Sequence, residues 1–134
     1  MSTAPSSSQP APRLRVMVVD DEDAVRMAIV LTVRHLGHET IGFESVEAAL
    51  RSDSLHQPFD VALIDLRLKG GEGGDVLIRH LARHASQQNV RIFALTGETE
   101  ESAARTLAGA QVEAVLRKPI TLADIAHHLG NQRE

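Results

Sequence analysis

Acidic side chains, a hydroxyl and a lysine follow four short apolar runs of this chain, at the points where strands would end. Asp20 and Asp21 follow the first of these runs, and Asp65 follows the second. Thr96 ends the third run, and Lys118 comes within two residues of the fourth. Such short runs are typical of strands buried on both faces of a parallel sheet, whose equivalent ends meet at one edge. We therefore expect these five side chains to converge.

Three carboxylates need positive charge among them, because two ionised carboxylates about 4 Å apart repel by roughly 4 kcal/mol at an effective dielectric constant of about 20. Oxygen ligands without His or Cys favour a hard divalent cation, and Mg²⁺ fits best. A carboxylate beside such a cation, a lysine and a hydroxyl can attack phosphorus. We assign that attack to Asp65, since the adjacent Asp20 and Asp21 are better placed to hold metal. Lys118 would supply the remaining charge, and Thr96 would donate its hydroxyl to a phosphoryl oxygen.

Alternating strand and helix patterns must position these residues. The apolar runs predict five strands, at 16–19, 40–43, 61–64, 92–95 and 115–116. Amphipathic spacing predicts a helix after each strand, at 22–36, 46–51, around 77–82, at 99–108 and between Thr121 and Gly130. The fourth helix has a thin apolar face, so we expect it to be weakly anchored. Strict alternation predicts an α/β protein with a parallel sheet between two helical layers.

Length and composition favour a single cytoplasmic domain. Residues 1–12 are mostly Ser, Pro and Ala, which predicts a flexible tail before a domain at 13–130 and a short C-terminal end at 131–134. A net charge of −4, with three Phe and no Tyr or Trp, argues against a nucleic-acid-binding surface. The sequence lacks cysteine, a signal-like start and an apolar stretch of membrane-spanning length.

Four motifs in order give the chain a resemblance to a known family. They read VVDDED, ALIDLRL, FALTG and LRKPI, and they contain all five residues of the expected site. Over about residues 13–130 the sequence resembles the receiver domain of two-component response regulators. The resemblance implies a flavodoxin-like (βα)5 fold with a sheet of order 2-1-3-4-5 and the site at the topological switch point.

The resemblance also implies roles for the site residues. Asp65 would accept a phosphoryl group from a histidine kinase or a histidine phosphotransfer protein. Asp20, Asp21, Asp65 and the backbone carbonyl of Arg67 would bind Mg²⁺. Beyond slow self-catalysed phosphorylation and dephosphorylation, no enzymatic activity is implied.

Switching residues follow from the same resemblance. Lys118 would pair with the phosphoryl group, and the Lys118–Pro119 peptide bond would be cis, a form that only X-Pro bonds reach at low cost. Thr96 would turn inward to meet the phosphoryl group.

The sequence departs from the family pattern at one switching position. Val115 stands where most receivers have an aromatic residue that moves with the threonine. Arg67 and Glu98 each lie two residues after a site residue, and an ion pair between them could shield the acyl phosphate from water.

Two alternatives are weighed against a receiver. Asp21 begins a motif similar to that of haloacid-dehalogenase-type phosphatases, which would make Asp21 the nucleophile. A phosphorylation-independent interaction module of the same fold is the other alternative. For a receiver, we expect no output domain after the last helix, a signal passed by contact with an unknown downstream protein, and a monomer or weak homodimer.

Overall fold

Five short apolar runs of the sequence form the strands of one parallel sheet in the computed structural model, which describes residues 13–130. The strands are β1 Arg15–Val19, β2 Glu39–Phe43, β3 Val61–Asp65, β4 Arg91–Thr96 and β5 Ala114–Arg117. Their order in the sheet is β2-β1-β3-β4-β5, and all four pairings are parallel. The flavodoxin-like fold and the strand order expected from the sequence are confirmed.

Helices follow the strands in alternation. They are α1 Asp23–His35, α2 Val46–Arg51, α3 Gly74–Arg83, α4 Glu100–Leu107 and α5 Leu122–Leu129. All five correspond to predicted helices, with ends that differ by about one residue where bounds were predicted. Two short 3₁₀ helices, Asp53–His56 and Ala85–Gln87, were not predicted. Their turns depend on contacts with distant residues, because the side chain of Gln87 donates to the backbone oxygens of Leu55 and Gln57.

Alternation of side chains along the strands builds two apolar layers. Odd and even positions of β1 illustrate the division, since Met17 packs on one face and Val18 on the other. The first face is covered by α2, α3 and α4, and the second by α1 and α5. Burial on both faces explains why β3 is apolar along its length until Asp65.

Polar side chains cap the starts of α4 and α5. The side chain of Thr99 accepts a hydrogen bond from the backbone N–H of Ser102 and caps α4. At α5 a capping box is present, with Thr121 and Asp124 each accepting a hydrogen bond from the other's backbone N–H.

A close backbone approach sets the start of α3 beside the end of β3. A Cβ added at Gly74 would lie 2.0 Å from the backbone oxygen of Asp65 and 2.9 Å from Cγ2 of Ile64. Only glycine fits there. The glycine-rich loop at 70–74 therefore lets α3 begin directly against the strand that carries Asp65.

Within residues 13–130, none of the helices combines the length and the apolar character needed to cross a membrane. The predicted tail at 1–12 and the end at 131–134 lie outside the described residues.

Candidate functional site

The sheet brings the predicted acidic residues together at the C-terminal ends of its strands. Asp20 follows β1 directly, and Asp65 is the last residue of the neighbouring strand β3. Carboxylate oxygens of Asp20, Asp21 and Asp65 lie within 4.8 Å of one another. Asp20 is fully buried and Asp65 is only 4% exposed. Two carboxylates are therefore held in the protein interior close to a third.

Lys118 lies between the two buried carboxylates. Its Nζ donates hydrogen bonds to Oδ2 of Asp20 at 2.8 Å and to Oδ2 of Asp65 at 3.0 Å. The backbone N–H of Lys118 donates to the carbonyl of Thr96, which ties the β5 end to β4. The bond between Lys118 and Pro119 is cis, the isomer implied by the resemblance.

Burial and charge act in opposite directions on this pair. Burial raises the pKa of Asp65, and this effect outweighs the N–H of Arg67 and the ammonium of Lys118, which act to lower it. Burial acts to lower the pKa of Lys118, but hydrogen bonds and charge from Asp20 and Asp65 outweigh it and raise that pKa. At neutral pH the Lys118 side chain is therefore protonated, and it lies beside the Asp65 carboxylate, whose basicity burial raises.

The donor set fits a hard divalent cation. One ammonium faces three carboxylates, so negative charge remains to be neutralised. Backbone N–H groups already orient all three carboxylates. Glu22 donates to Oδ1 of Asp20 and Lys69 donates to Oδ2 of Asp21, both at 2.9 Å. Arg67 donates to Oδ1 of Asp65 at 3.0 Å. Preoriented oxygen ligands with residual negative charge are what Mg²⁺ sites in proteins require.

An ion pair crosses the mouth of the site. Nη2 of Arg67 lies 2.8 Å from Oε2 and 2.9 Å from Oε1 of Glu98, which is the link expected from the sequence. Both residues line an open cavity of about 310 Å³ that reaches Asp65 and Lys118. The pair therefore forms part of the wall of the cavity that leads to Asp65.

Thr96 is the last residue of β4 and directly precedes Gly97, which lines this cavity. It is 1% exposed, and its Oγ1 accepts a hydrogen bond from the backbone N–H of Glu98 at 2.9 Å. Val115 pairs in register with Ala94 on the adjacent strand and packs on the core face covered by α4. An aliphatic side chain thus occupies the position where the family pattern has a ring.

Two residues at this edge were not predicted from the sequence. The hydroxyl of Ser102 donates to Oε1 of Glu98 at 2.5 Å. Glu47 on α2 accepts a hydrogen bond from the N–H of Glu72 and so holds the glycine-rich loop. The four-residue spacing of Ser102 from Glu98 was the only signal in the sequence, whereas the contact of Glu47 joins residues 25 apart and has no local signature.

Comparison with known proteins places this arrangement in a family. The family model described as "Response regulator receiver domain" matches residues 16–130. The chain belongs to this family, and it is a receiver domain of the two-component type. The resemblance noted in the sequence is confirmed.

Curated relatives include sensor proteins and transcriptional regulators. The chain is 32% identical over 123 residues to the virulence sensor protein BvgS of Bordetella pertussis, covering 89% of this chain and 10% of that protein. It is 30% identical over 88 residues to the phosphate regulon transcriptional regulatory protein PhoB of Shigella flexneri, covering 65% and 37% of the two chains. The chain thus spans about a tenth to a third of these relatives.

Solved structures share the fold at low sequence identity. The chemotaxis protein CheY4 of Vibrio cholerae matches with a TM-score of 0.79 at 20% identity, covering 90% of this chain and 98% of that one. A receiver domain of a sensor histidine kinase from Pseudomonas aeruginosa PAO1 matches with a TM-score of 0.78 at 22% identity and the same coverage. That structure is described with a magnesium ion coordinated in its active-site cleft.

Proposed function

We propose that Asp65 accepts a phosphoryl group from a histidine kinase or a histidine phosphotransfer protein. One observation carries the assignment: Asp65 is the buried carboxylate that both contacts the Lys118 ammonium and lines the open cavity. Asp20 contacts the same ammonium but is fully buried. A phosphoryl donor that enters the cavity reaches Asp65.

The transfer exchanges one bond to phosphorus for another. A carboxylate oxygen of Asp65 forms a bond to phosphorus while the nitrogen–phosphorus bond of the phosphohistidine breaks, and the leaving imidazole takes up a proton. Lys118 is placed to hold negative charge on the phosphoryl oxygens. Burial raises the pKa of Asp65, so its ionised carboxylate is a stronger nucleophile than one exposed to water. The Lys118 ammonium favours that ionised form.

Mg²⁺ is the cofactor that this donor set favours. Asp20, Asp21, Asp65 and the backbone carbonyl of Arg67 would hold it. When bound, the ion would neutralise charge on the transferred group. The residual negative charge of the three carboxylates supports this choice.

The phosphorylated state would be read by Thr96. Its hydroxyl accepts from the N–H of Glu98 in this structure, and turning toward a phosphoryl oxygen would release that bond. The signal would then pass by contact to a downstream protein, with the domain acting as a monomer or a weak homodimer and without binding nucleic acid.

A phosphatase with Asp21 as its nucleophile receives less support. The two short contacts of the Lys118 ammonium are to Asp20 and Asp65, and the Asp21 carboxylate is engaged by the N–H of Lys69. An electrophile at Asp21 would therefore lack the direct ammonium contact that Asp65 has.

Labelling with a small phosphodonor tests the proposal. The protein is incubated with acetyl phosphate and Mg²⁺ and analysed by intact mass, beside Asp65→Asn and Asp21→Asn. We expect one added phosphoryl group that chelation of Mg²⁺ prevents and Asp65→Asn abolishes. Multiple turnover that depends on Asp21 would instead establish the phosphatase, and equal labelling of wild type and Asp65→Asn would overturn the assignment.

A further inference from the structure

The first turn of α4 is joined to the acceptor site by a side chain that the transfer reaction does not use. Ser102 lies in this turn, and its hydroxyl donates to Oε1 of Glu98. Glu98 is the same residue that pairs with Arg67 over the mouth of the site. A continuous set of polar contacts therefore runs from the loop after β3, across the opening, to α4.

Glu98 is held at three points. Its two carboxylate oxygens contact Arg67, one of them also accepts from Ser102, and its backbone N–H donates to Thr96 Oγ1. The side chain of Arg67 is 64% exposed, so the arginine alone is a weak restraint. Ser102 lies in the first turn of a helix that Thr99 caps. Its backbone is therefore held in place, and its hydroxyl restrains the Glu98 carboxylate more firmly than Arg67 does.

We propose that Ser102 is a positioning residue for the chemistry at Asp65: by holding Glu98 against Arg67 it limits the access of water to the acyl phosphate and couples α4 to Thr96. This inference rests on the proposed phosphorylation of Asp65. The Ser102–Glu98 contact connects α4 to the site without the aromatic side chain that most receivers have at the position of Val115.

The hydrolysis that this contact would slow is a simple displacement. A water oxygen forms a bond to phosphorus, the bond from phosphorus to the Asp65 oxygen breaks, and inorganic phosphate leaves with the proton of the water. Water must enter through the cavity that Arg67 and Glu98 line. Loosening Glu98 would open that route while leaving Asp65 and Lys118 in place.

Coupling to α4 follows from the backbone contact of Glu98. When Thr96 turns toward a phosphoryl oxygen, the N–H of Glu98 loses its acceptor. The loop that begins at Gly97 can then shift, and Ser102 carries the shift into the first turn of α4 through the Glu98 carboxylate.

A double-mutant cycle tests the positioning role. Wild type, Ser102→Ala, Glu98→Ala and the double variant are phosphorylated with acetyl phosphate, and decay of the phosphorylated mass is followed after donor removal. Losing one partly exposed hydrogen bond of ordinary net strength should raise the decay rate by about three- to tenfold in Ser102→Ala. In the Glu98→Ala background the same substitution should change the rate by less than about 1.5-fold, since the partner is gone. Ser102→Thr, which keeps the hydroxyl, should retain a slow decay.

Thr99→Ala is the matched control. It removes the cap of the same helix turn without removing a contact of Glu98. If Thr99→Ala and Ser102→Ala accelerate decay equally, Ser102 acts only on helix stability and the inference is overturned. Unchanged decay in Ser102→Ala overturns it as well, while normal labelling in that experiment leaves the role of Asp65 intact. Labelling that fails in wild type would overturn the proposed function itself.

Hydrogen exchange provides a second readout. Amides of 100–107 in wild type should change their exchange rates about threefold or more when beryllofluoride and Mg²⁺ are added, a change large enough to separate from fraying. The change should shrink to less than half in Ser102→Ala. An equal response in both proteins would contradict the coupling.

Discussion

Replacing Lys118 by Met removes the cation between two buried carboxylates while keeping an apolar side chain of similar length. In wild type, Nζ of Lys118 lies 2.8 Å from Oδ2 of Asp20 and 3.0 Å from Oδ2 of Asp65. Each contact corresponds to a Coulomb attraction of about 5–6 kcal/mol at an effective dielectric constant of about 20. Oxygens of Asp20 and Asp65 within 4.8 Å would then repel by about 3 kcal/mol or more on the same scale. Much of the attraction offsets desolvation, and removing one partner of a buried ion pair costs about 3–5 kcal/mol. Because the Lys118 side chain is 20% exposed, we expect a loss of about 2–4 kcal/mol in the free energy of unfolding.

The assay is urea unfolding at pH 7.5 with EDTA, followed by circular dichroism. Burial acts to lower the pKa of Lys118, but the carboxylates outweigh it and raise that pKa, so its contribution is complete below the unfolded-chain pKa and is lost only as pH rises through the folded-state pKa. The full difference should therefore be present at pH 7.5. The difference in stability should narrow as pH falls through the pKa of Asp65, which burial raises, because protonation of Asp65 relieves the repulsion. Mg²⁺ should stabilise Lys118→Met more than wild type, because the variant has one less positive charge among the carboxylates.

Lys69→Met is the matched control, since Lys69 lines the same cavity but contacts Asp21 through its backbone N–H. An exposed substitution of this kind should change stability by less than about 0.5 kcal/mol. If Lys118→Met were as stable as Lys69→Met in EDTA, Lys118 would not offset the repulsion between Asp20 and Asp65 in the folded protein. That result would refute the electrostatic reasoning.

Three further predictions concern other parts of the fold. Gly74→Ala places a Cβ 2.0 Å from the Asp65 backbone oxygen and should cost about 3 kcal/mol or more in urea unfolding, and a near-neutral result would contradict the close approach. Arg67→Ala removes the ion pair over the mouth and should shorten the lifetime of the phosphorylated protein, as measured by intact mass, whereas an unchanged lifetime would dismiss the shielding role. A hydrogen bond from Arg91 lowers the pKa of Glu113 below 4.5, so this pair adds stability above about pH 4.5 that disappears as pH falls through the lowered value. Glu113→Gln should therefore be less stable than wild type at pH 7, and the difference should disappear as pH falls through the lowered pKa of Glu113. A difference that does not shrink in acid would contradict this assignment.

The sequence predicts the sheet and the acidic site because both follow from local patterns. Strands buried on two faces must be apolar until they end, so Asp20 and Asp65 mark the ends of β1 and β3 and their convergence follows from parallel order. The anchoring of α4 could not be predicted in the same way. Its apolar face is as thin as the sequence suggests, with Ala103 and Leu107 buried, but Arg79 on α3 donates to the carbonyl of Leu107 and holds its C-terminal end.

Residues far apart in the chain supply what local patterns omit. The Arg79 contact joins positions 28 residues apart, and the side chain of Gln87 reaches back to Leu55 over 32 residues. A buried glutamine is an unfavourable choice unless each polar atom finds a partner, so its role emerges only after the fold is formed. Such contacts have no periodicity that a sequence could reveal.

Burial of Asp65 has two chemical effects that only Lys118 reconciles. Desolvation raises the carboxylate's pKa and with it the basicity that an attacking oxygen needs, but it also favours the neutral acid, which cannot attack. A lysine with a raised pKa, 3.0 Å from Oδ2, favours the ionised form at neutral pH. The same ammonium is then positioned for the negative charge that arrives on phosphorus. Reactivity at Asp65 and tolerance of the acidic cluster by the fold therefore depend on one side chain, so variants of Lys118 should affect both together.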